Sequence, residues 1–332
     1  MRVLITGAST PLGLTIVEQL RALPEVSFVL AVGIDRRPER LVDDRRLRYI
    51  GADLSHVRSA HDLIWGEARR HSIDTVIHAA QHRNANDHGR LVHRQNVEMT
   101  RTLLAACRDH PSIRRFVLRS FAEVYATPHA TTHLLSEDDA LDFDPAMPQW
   151  VRDRVEADLI ACAQVGNPLH VAVLRCAEVL APNSGSQLWD YLGSHVCLRP
   201  LGFDPIINVL SLEDAAAAFV IAAHSTAIGA FNIPGADTLP LSRAVAESQR
   251  LDFPVPGPLM SPLYRLRRRI VGFEFHYNLN ARRFHFGGVL DGARASNELG
   301  YVPTHRVTWP RPWWKVLIDR LGSDRELIQT RT

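Results

Sequence analysis

Gly7 and Gly13, on either side of Ser9-Thr10-Pro11, are the residues whose types and spacing first suggest chemistry. A short apolar run, Val3-Leu4-Ile5, precedes them, and Pro11-Leu12-Gly13 opens an apolar-periodic segment. Strand, glycine turn and helix start, in that order, bring backbone N–H groups up to a phosphate at the helix N-terminus. Gly7 gives the turn its φ freedom, and Gly13 allows close contact between helix and strand. Asp35 closes a second apolar run about twenty positions on, where a carboxylate accepts from an adenosine ribose hydroxyl. Arg36 and Arg37 follow at once and suit a 2′-phosphate, so the pattern is compatible with NAD or NADP. A glycine pattern alone is a weak signal; the strand before it, the helix after it and the acidic residue beyond it give it weight.

The rest of the composition narrows the chemistry. The chain has 332 residues, 46% hydrophobic and 22% charged, with a formal net charge of +2, as in an ordinary soluble globular protein. That charge is too small to argue for nucleic acid. Lys315 is the single lysine among 38 basic residues, so no earlier position offers an amine for catalysis. Cys107, Cys162, Cys176 and Cys197 form no C-x-x-C pair, and the sixteen histidines form no H-E-x-x-H, so no metal site is expected. No secretory leader is read and no run approaches the ~20 apolar residues of a membrane span. Reduced thiols in a cytoplasmic protein are expected, with peripheral membrane contact left open.

These residues must be positioned by alternating elements. Strands are expected at 2–6, 27–34, 47–50, 75–79, 115–119 and 170–175. Helices are expected at 12–23, 57–70, 88–109 and 148–164. Buried strands alternating with amphipathic helices give a doubly wound α/β parallel sheet with right-handed crossovers. A strand at 206–210, an alanine-rich helix at 212–224 and a strand at 230–233 follow. From Gly235 the elements shorten, which reads as a smaller C-terminal α/β lobe. The domains are expected at 1–180 and 181–332, with about 205–233 packing back on the first.

Several segments then fall into one pattern. Gly51-Ala52-Asp53-Leu54 places an acidic step after the third strand. DTVIHAA (74–80) ends a strand in a small-residue loop. Asn96 leads the helix NVEMTRTLLAAC. FVLRSFAEVY (116–125) is a strand with a polar loop. Leu174-Arg175, then Ala181-Pro182-Asn183, NVLSLEDA (208–215) and ELGYVP near residue 303 complete the series. Together they resemble the extended short-chain dehydrogenase/reductases, the NAD-dependent epimerase/dehydratase family, over roughly residues 2–303. The resemblance implies a Rossmann domain holding NAD or NADP. It places Gly7, Thr10, Pro11, Leu12, Gly13, Asp35, Arg36, Asp53, Leu54, Ala79, Ala80, Asn96 and Arg154 at the cofactor.

The same resemblance implies a tyrosine that exchanges the proton, a lysine one helical turn later, and a Ser/Thr at the end of the fifth strand. Here those positions hold Trp150, Arg154 and Phe121, with Ser120 one residue earlier. An indole N–H is no acid of useful strength, Arg154 with a pKa above ~12 cannot transfer a proton, and Phe121 has no polar atom. No other tyrosine has a lysine four residues on. Tyr125 is the remaining candidate acid, with Glu123 behind it. Thr10 stands where the family usually has a third glycine, and its Cβ crowds the pyrophosphate while its hydroxyl is free to be offered to a phosphate.

The expectation is therefore a nucleotide-binding, scaffold or assembly protein without the family's standard catalysis. The alternative is an active NAD(P)-dependent oxidoreductase or epimerase using a rearranged site. Its substrate would be a sugar nucleotide or a lipid-like alcohol or ketone. In the C-terminal half, PLMSPLYRLRRRIV (258–271) reads as a helix capped by Ser261 with Pro262 at its first position. Leu263, Leu266 and Ile270 share one face, read as docked on the domain, with arginines around the rest. The other reading of this helix is contact with an anionic membrane surface, a phosphorylated ligand or a protein partner. The tail 309–321, with Trp309, Trp313, Trp314 and Lys315, is expected to pack back on its own domain, with a membrane interface or a protein partner as the alternative. A homodimer is compatible with the sequence.

Overall fold

The computed structural model describes residues 1–126, 133–166, 168–271 and 275–311. In chain order its first half runs β1 (Arg2–Thr6), α1 (Pro11–Ala22), β2 (Phe28–Gly33), β3 (Leu47–Gly51), α2 (Val57–Asp62), β4 (Thr75–His78), α3 (Arg90–His93), α4 (Met99–Arg108), β5 (Arg115–Phe121), β6 (His133–Leu135) and α5 (Gln149–Cys162). It continues through β7 (His170–Cys176), β8 (Glu178–Val179), α6 (Gln187–Leu192), β9 (Val196–Pro200), β10 (Ile206–Leu210), α7 (Leu212–His224), β11 (Gly229–Ile233) and β12 (Asp237–Pro240). α8 (Leu241–Glu247), β13 (Leu251–Val255), α9 (Gly257–Val271), α10 (Tyr277–His285) and β14 (Gly288–Leu290) complete it.

Seven strands form one parallel sheet in the order β11-β7-β5-β4-β1-β2-β3. The order reverses between β1 and β4, and at such a switch point the strand ends leave a crevice for a ligand. β2, β4 and β5 are buried along their whole length, which is why they read as continuous apolar runs rather than alternating ones. Successive residues feed two cores. Val3, Ile5, Val29 and Val117 pack beneath α1 and α7, while Leu4, Leu30, Val76 and Phe116 pack beneath the α2 and α4 side. β11 closes one edge of the sheet, and α7 lies against α1.

A third core, rich in aromatic rings, holds the C-terminal lobe. Tyr191 of α6 meets Phe284 of α10 edge-on at 4.8 Å, and Tyr264 of α9 stacks with Tyr277 at 5.7 Å. Small sheets, β12-β10-β8, β13-β9 and β14-β6, frame it.

Three local features differ from the sequence reading. The helices around 57–70 and 88–109 each contain a widened, π-type turn, Leu63–Ala68 and Arg94–Glu98, which side-chain periodicity does not register. α9 begins at Gly257, so Pro262 lies inside it, and the Ser261 hydroxyl donates to Asn278 Oδ1 at 2.6 Å instead of capping. The stripe of Leu263, Leu266 and Ile270 is exposed; Met260 and Tyr264 are the residues that dock. In the tail, Trp309 packs on the lobe core, while Trp313, Trp314 and Lys315 lie outside the described residues.

Candidate functional site

After β1 the chain turns at Gly7 with φ of 77°. A Cβ there would lie 2.8 Å from the Ala80 backbone, and one on Gly13 would lie 2.1 Å from the Gly7 carbonyl oxygen. Neither position accepts a side chain, so the turn and the start of α1 press directly on the end of β4. Thr10 departs from the expectation that its hydroxyl faces a phosphate. Its Oγ1 donates to the Gly7 carbonyl (2.8 Å) and accepts from the Gly13 N–H (3.0 Å), capping α1. Pro11 contributes no N–H. The Leu12 N–H is thus what the first turn retains for an anion.

A cavity of about 300 Å³ opens at the ends of β1, β2 and β4. Of the residues expected at a cofactor, Gly7, Thr10, Asp35, Asp53, Leu54 and Ala80 line it. Pro11, Leu12, Gly13, Arg36, Ala79, Asn96 and Arg154 are not in its wall. Leu12, Gly13 and Ala79 are buried behind the turn, and Arg36 is exposed. Asn96 acts one step back: its Oδ1 accepts from the His82 N–H at 3.0 Å and so fixes the loop that does line the cavity. Asp53 accepts from the Ser55 N–H at 2.9 Å. Asp35 Oδ2 accepts from Ser9 Oγ (3.0 Å) and from Arg83 Nη2 (3.2 Å). Sequence reasoning missed Arg83; its only signal is a basic residue three places beyond the small pair Ala79-Ala80. Arg37 is turned to Asp43 and lies over the Tyr49 ring at 5.6 Å.

Trp150 and Arg154 stand one turn apart on α5, next to the end of β5. The Arg154 guanidinium carbon is 3.6 Å from the Phe121 ring centre and 4.0 Å from that of Trp150. Arg119 stacks on Phe121 as well, at 4.8 Å. Arg154 Nη1 lies 3.3 Å from Glu123 Oε2, and Arg283 joins Glu123 (3.0 Å) to Glu178 (2.5 Å). Desolvated cation–π contacts are worth about 2 kcal/mol, and a buried charge that loses its partner costs about 3–5 kcal/mol, so rings and ion pairs hold one another in place. Burial pulls the Arg154 guanidinium down to about 10, against the pull of Glu123, which leaves it a cation at neutral pH. For Arg283, Glu178 and Glu123 overcome the effect of burial and hold the guanidinium above its ordinary range. Arg283, on α10, lay outside every motif the sequence offered.

Glu123, Trp150 and Arg283 line a second cavity, of about 320 Å³, with Asn278 and Asn280 across from them. Three polar atoms in its buried wall, Trp150 Nε1, Glu123 Oε2 and Asn280 Oδ1, have no hydrogen-bond partner; Oε2 is within ion-pair range of Arg154 but not aligned with it.

Tyr125 also reaches this wall, yet its hydroxyl donates to Asn232 Oδ1 (2.6 Å) and accepts from Arg175 Nη1 (3.0 Å). Burial pushes the phenol up to about 12, against the opposing Arg175 charge, so it is a poor match for an acid working near neutrality. Ser120 is committed elsewhere: its Oγ donates to Asp158, which is paired with Arg175 beneath the site. Among the described residues no group of three His, Cys, Asp or Glu side chains gathers for a metal.

A doubly wound parallel sheet, broken at a glycine turn beside an acidic strand end, defines a Rossmann-type protein of the dinucleotide-fold class. The chain belongs to the NAD dependent epimerase/dehydratase family, whose profile matches residues 3–195. Uncharacterised proteins of Mycobacterium tuberculosis and Mycobacterium bovis are each 32% identical over 310 residues, covering 91% of this chain and 80% of theirs. Among solved structures, a dTDP-glucose 4,6-dehydratase of Streptomyces venezuelae with NAD bound is similar with a TM-score of 0.68 at 20% identity, over 92% of this chain and 93% of that one. A UDP-glucuronic acid 4-epimerase of Bacillus cereus in complex with NAD gives 0.68 at 16% identity, with the same coverage. At such identities the likeness concerns the fold.

Proposed function

We propose that this chain binds a nicotinamide dinucleotide, NAD in preference to NADP, and lacks the family's usual proton-transfer chemistry. The observation that carries the reading is the stack of Phe121, Arg154 and Trp150. At the positions where the family's acid, its lysine and its hydroxyl would stand, a cation is clamped between two rings and tied to Glu123. None of the three side chains has a proton that it can exchange near neutral pH.

The first cavity suits the cofactor. The side-chain-free backbone at Gly7 and the Asp35 carboxylate fit a pyrophosphate and an adenosine ribose. Asp35 opposes a 2′-phosphate; of the basic residues nearby, Arg37 is held by Asp43, Arg83 is paired with Asp35 itself, and Arg36 is exposed outside the cavity wall. When bound, the dinucleotide would supply a hydride acceptor; the protein's own residues bind and orient it. The role that follows is a nucleotide-dependent scaffold or assembly component.

One feature favours the second reading, an active oxidoreductase or epimerase. Trp150 Nε1, Glu123 Oε2 and Asn280 Oδ1, which have no hydrogen-bond partner in the wall of the second cavity, suit a hydroxylated ligand, and MoeE5, a structural neighbour, was solved with UDP-glucuronic acid and NAD. In that reading Glu123 moves the proton. Titration of nicotinamide fluorescence tests the binding claim. NADH is expected to bind saturably and NADPH at least about tenfold more weakly, a difference of roughly 1.4 kcal/mol. Failure of both dinucleotides to bind overturns the reading.

A further inference from the structure

We propose that α9 docks the protein on an anionic lipid surface. One face of this helix is fixed to the body. Met260 and Tyr264 are buried, the Tyr264 hydroxyl donates to the Leu198 carbonyl at 3.1 Å, and Arg267 donates to the Val196 carbonyl (2.6 Å) and Ser194 Oγ (2.7 Å). The helix therefore cannot roll to hide its other apolar residues. Those are Leu259, Leu263, Leu266 and Ile270, exposed by 52%, 38%, 55% and 74%. Their spacing of four, three and four residues puts them in a single outward stripe. On an ideal helix Arg265 and Arg269 flank that stripe on the side away from the body. Both are exposed and have no ion-pair partner among the described residues. The helix contains no acidic residue. Leu251 and Phe253 are also exposed on β13, the strand paired with β9, against which α9 packs.

A helix that merely covers its own domain buries its leucines and exposes its polar residues. Here the leucine row faces out beside arginines that have no ion-pair partner among the described residues, the arrangement of a helix lying in the plane of a membrane interface. The charge selects the occupant. A second copy presenting the same face about a two-fold axis would set arginine against arginine. An anionic bilayer takes the apolar row into its acyl boundary and pairs the arginines with lipid phosphates, while their methylene stems lie along the apolar surface. No helix among the described residues is long and apolar enough to cross a membrane, so the contact is one of surface attachment.

Co-sedimentation of the full-length chain with lipid vesicles tests this. Binding is expected to phosphatidylcholine vesicles containing phosphatidylglycerol and to be at least about tenfold weaker to phosphatidylcholine alone, at roughly fivefold per arginine. The double variants Leu266→Glu/Ile270→Glu and Arg265→Glu/Arg269→Glu should each lower binding by about an order of magnitude. Thermal melting and NADH affinity should be unchanged in both, because the four side chains are exposed and distant in sequence from the cofactor cleft. Absence of binding to anionic vesicles, or binding that both variants leave intact, overturns the proposal. A dimer that dissolves in Leu266→Glu/Ile270→Glu, without vesicle binding, would also overturn it and assign the stripe to a second copy.

Discussion

Arg154 is the side chain on which the catalytic positions converge. Lysine in its place would lose the flat guanidinium that stacks on both Phe121 and Trp150. Alanine would do more, since Glu123 would keep only Arg283 and both rings would border a void. Arg154→Ala is therefore expected to lower stability by about 3 kcal/mol, measured by urea unfolding, with Arg154→Lys falling between it and the parent. A loss below about 0.5 kcal/mol would mean the stack is incidental. Arg83 is a second case in which chain separation hides a contact. Its partner Asp35 lies 48 positions away, and nothing local in either segment marks the pair.

Among the elements, β4 ties the glycine turn to the helices behind the sheet. His78 pairs in register with Thr6 of β1; its Nδ1 is 2.7 Å from Thr6 Oγ1 and its Nε2 is 3.1 Å from Thr100 Oγ1 on α4. Burial pushes this imidazole down to about 4, so the folded protein holds it neutral. A depressed pKa contributes stability that is complete above the unfolded value of about 6.5 and is lost as pH falls toward the folded one. The expected decline is roughly 1.4 kcal/mol per pH unit over that window, on the order of 3 kcal/mol in all. Urea midpoints between about pH 7 and about pH 4 should show it, with a shallower slope in His78→Asn, which cannot titrate there. Equal slopes would assign the acid sensitivity to other groups.

Elements of this kind were legible because strands buried on both faces write themselves as apolar runs. Thr10 followed by Pro11 also carried a readable helix-cap signal, although the phosphate reading drew its hydroxyl elsewhere. The lobe was not legible. β8 and β14 have only two and three residues, β13 is exposed over four of its five, and their partners come from other parts of the chain, as in β14 with β6. In α9 the Ser261-Pro262 pair imitates a start that Gly257-Pro258 provides.

At the scale of the molecule, the lobe and the sheet are built into each other. α7 and β11 complete the Rossmann layer, Asp214 at the start of α7 accepts from the Thr304 and His305 N–H groups of the last described segment, and Arg283 of the lobe reaches Glu123 after β5. One cavity therefore lies along strand ends for a dinucleotide, and the other lies between the sheet and the lobe beside the clamped Arg154. On the proposed reading, this architecture holds a dinucleotide without turning it over. The most direct measurement is a single-turnover experiment with protein and saturating NAD, mixed with UDP-glucose, UDP-glucuronic acid or dTDP-glucose, following the absorbance of reduced nicotinamide. No reduced cofactor should form, while NADH added to the same protein binds. A burst of reduced nicotinamide stoichiometric with protein, and abolished in Glu123→Gln, would contradict the claim.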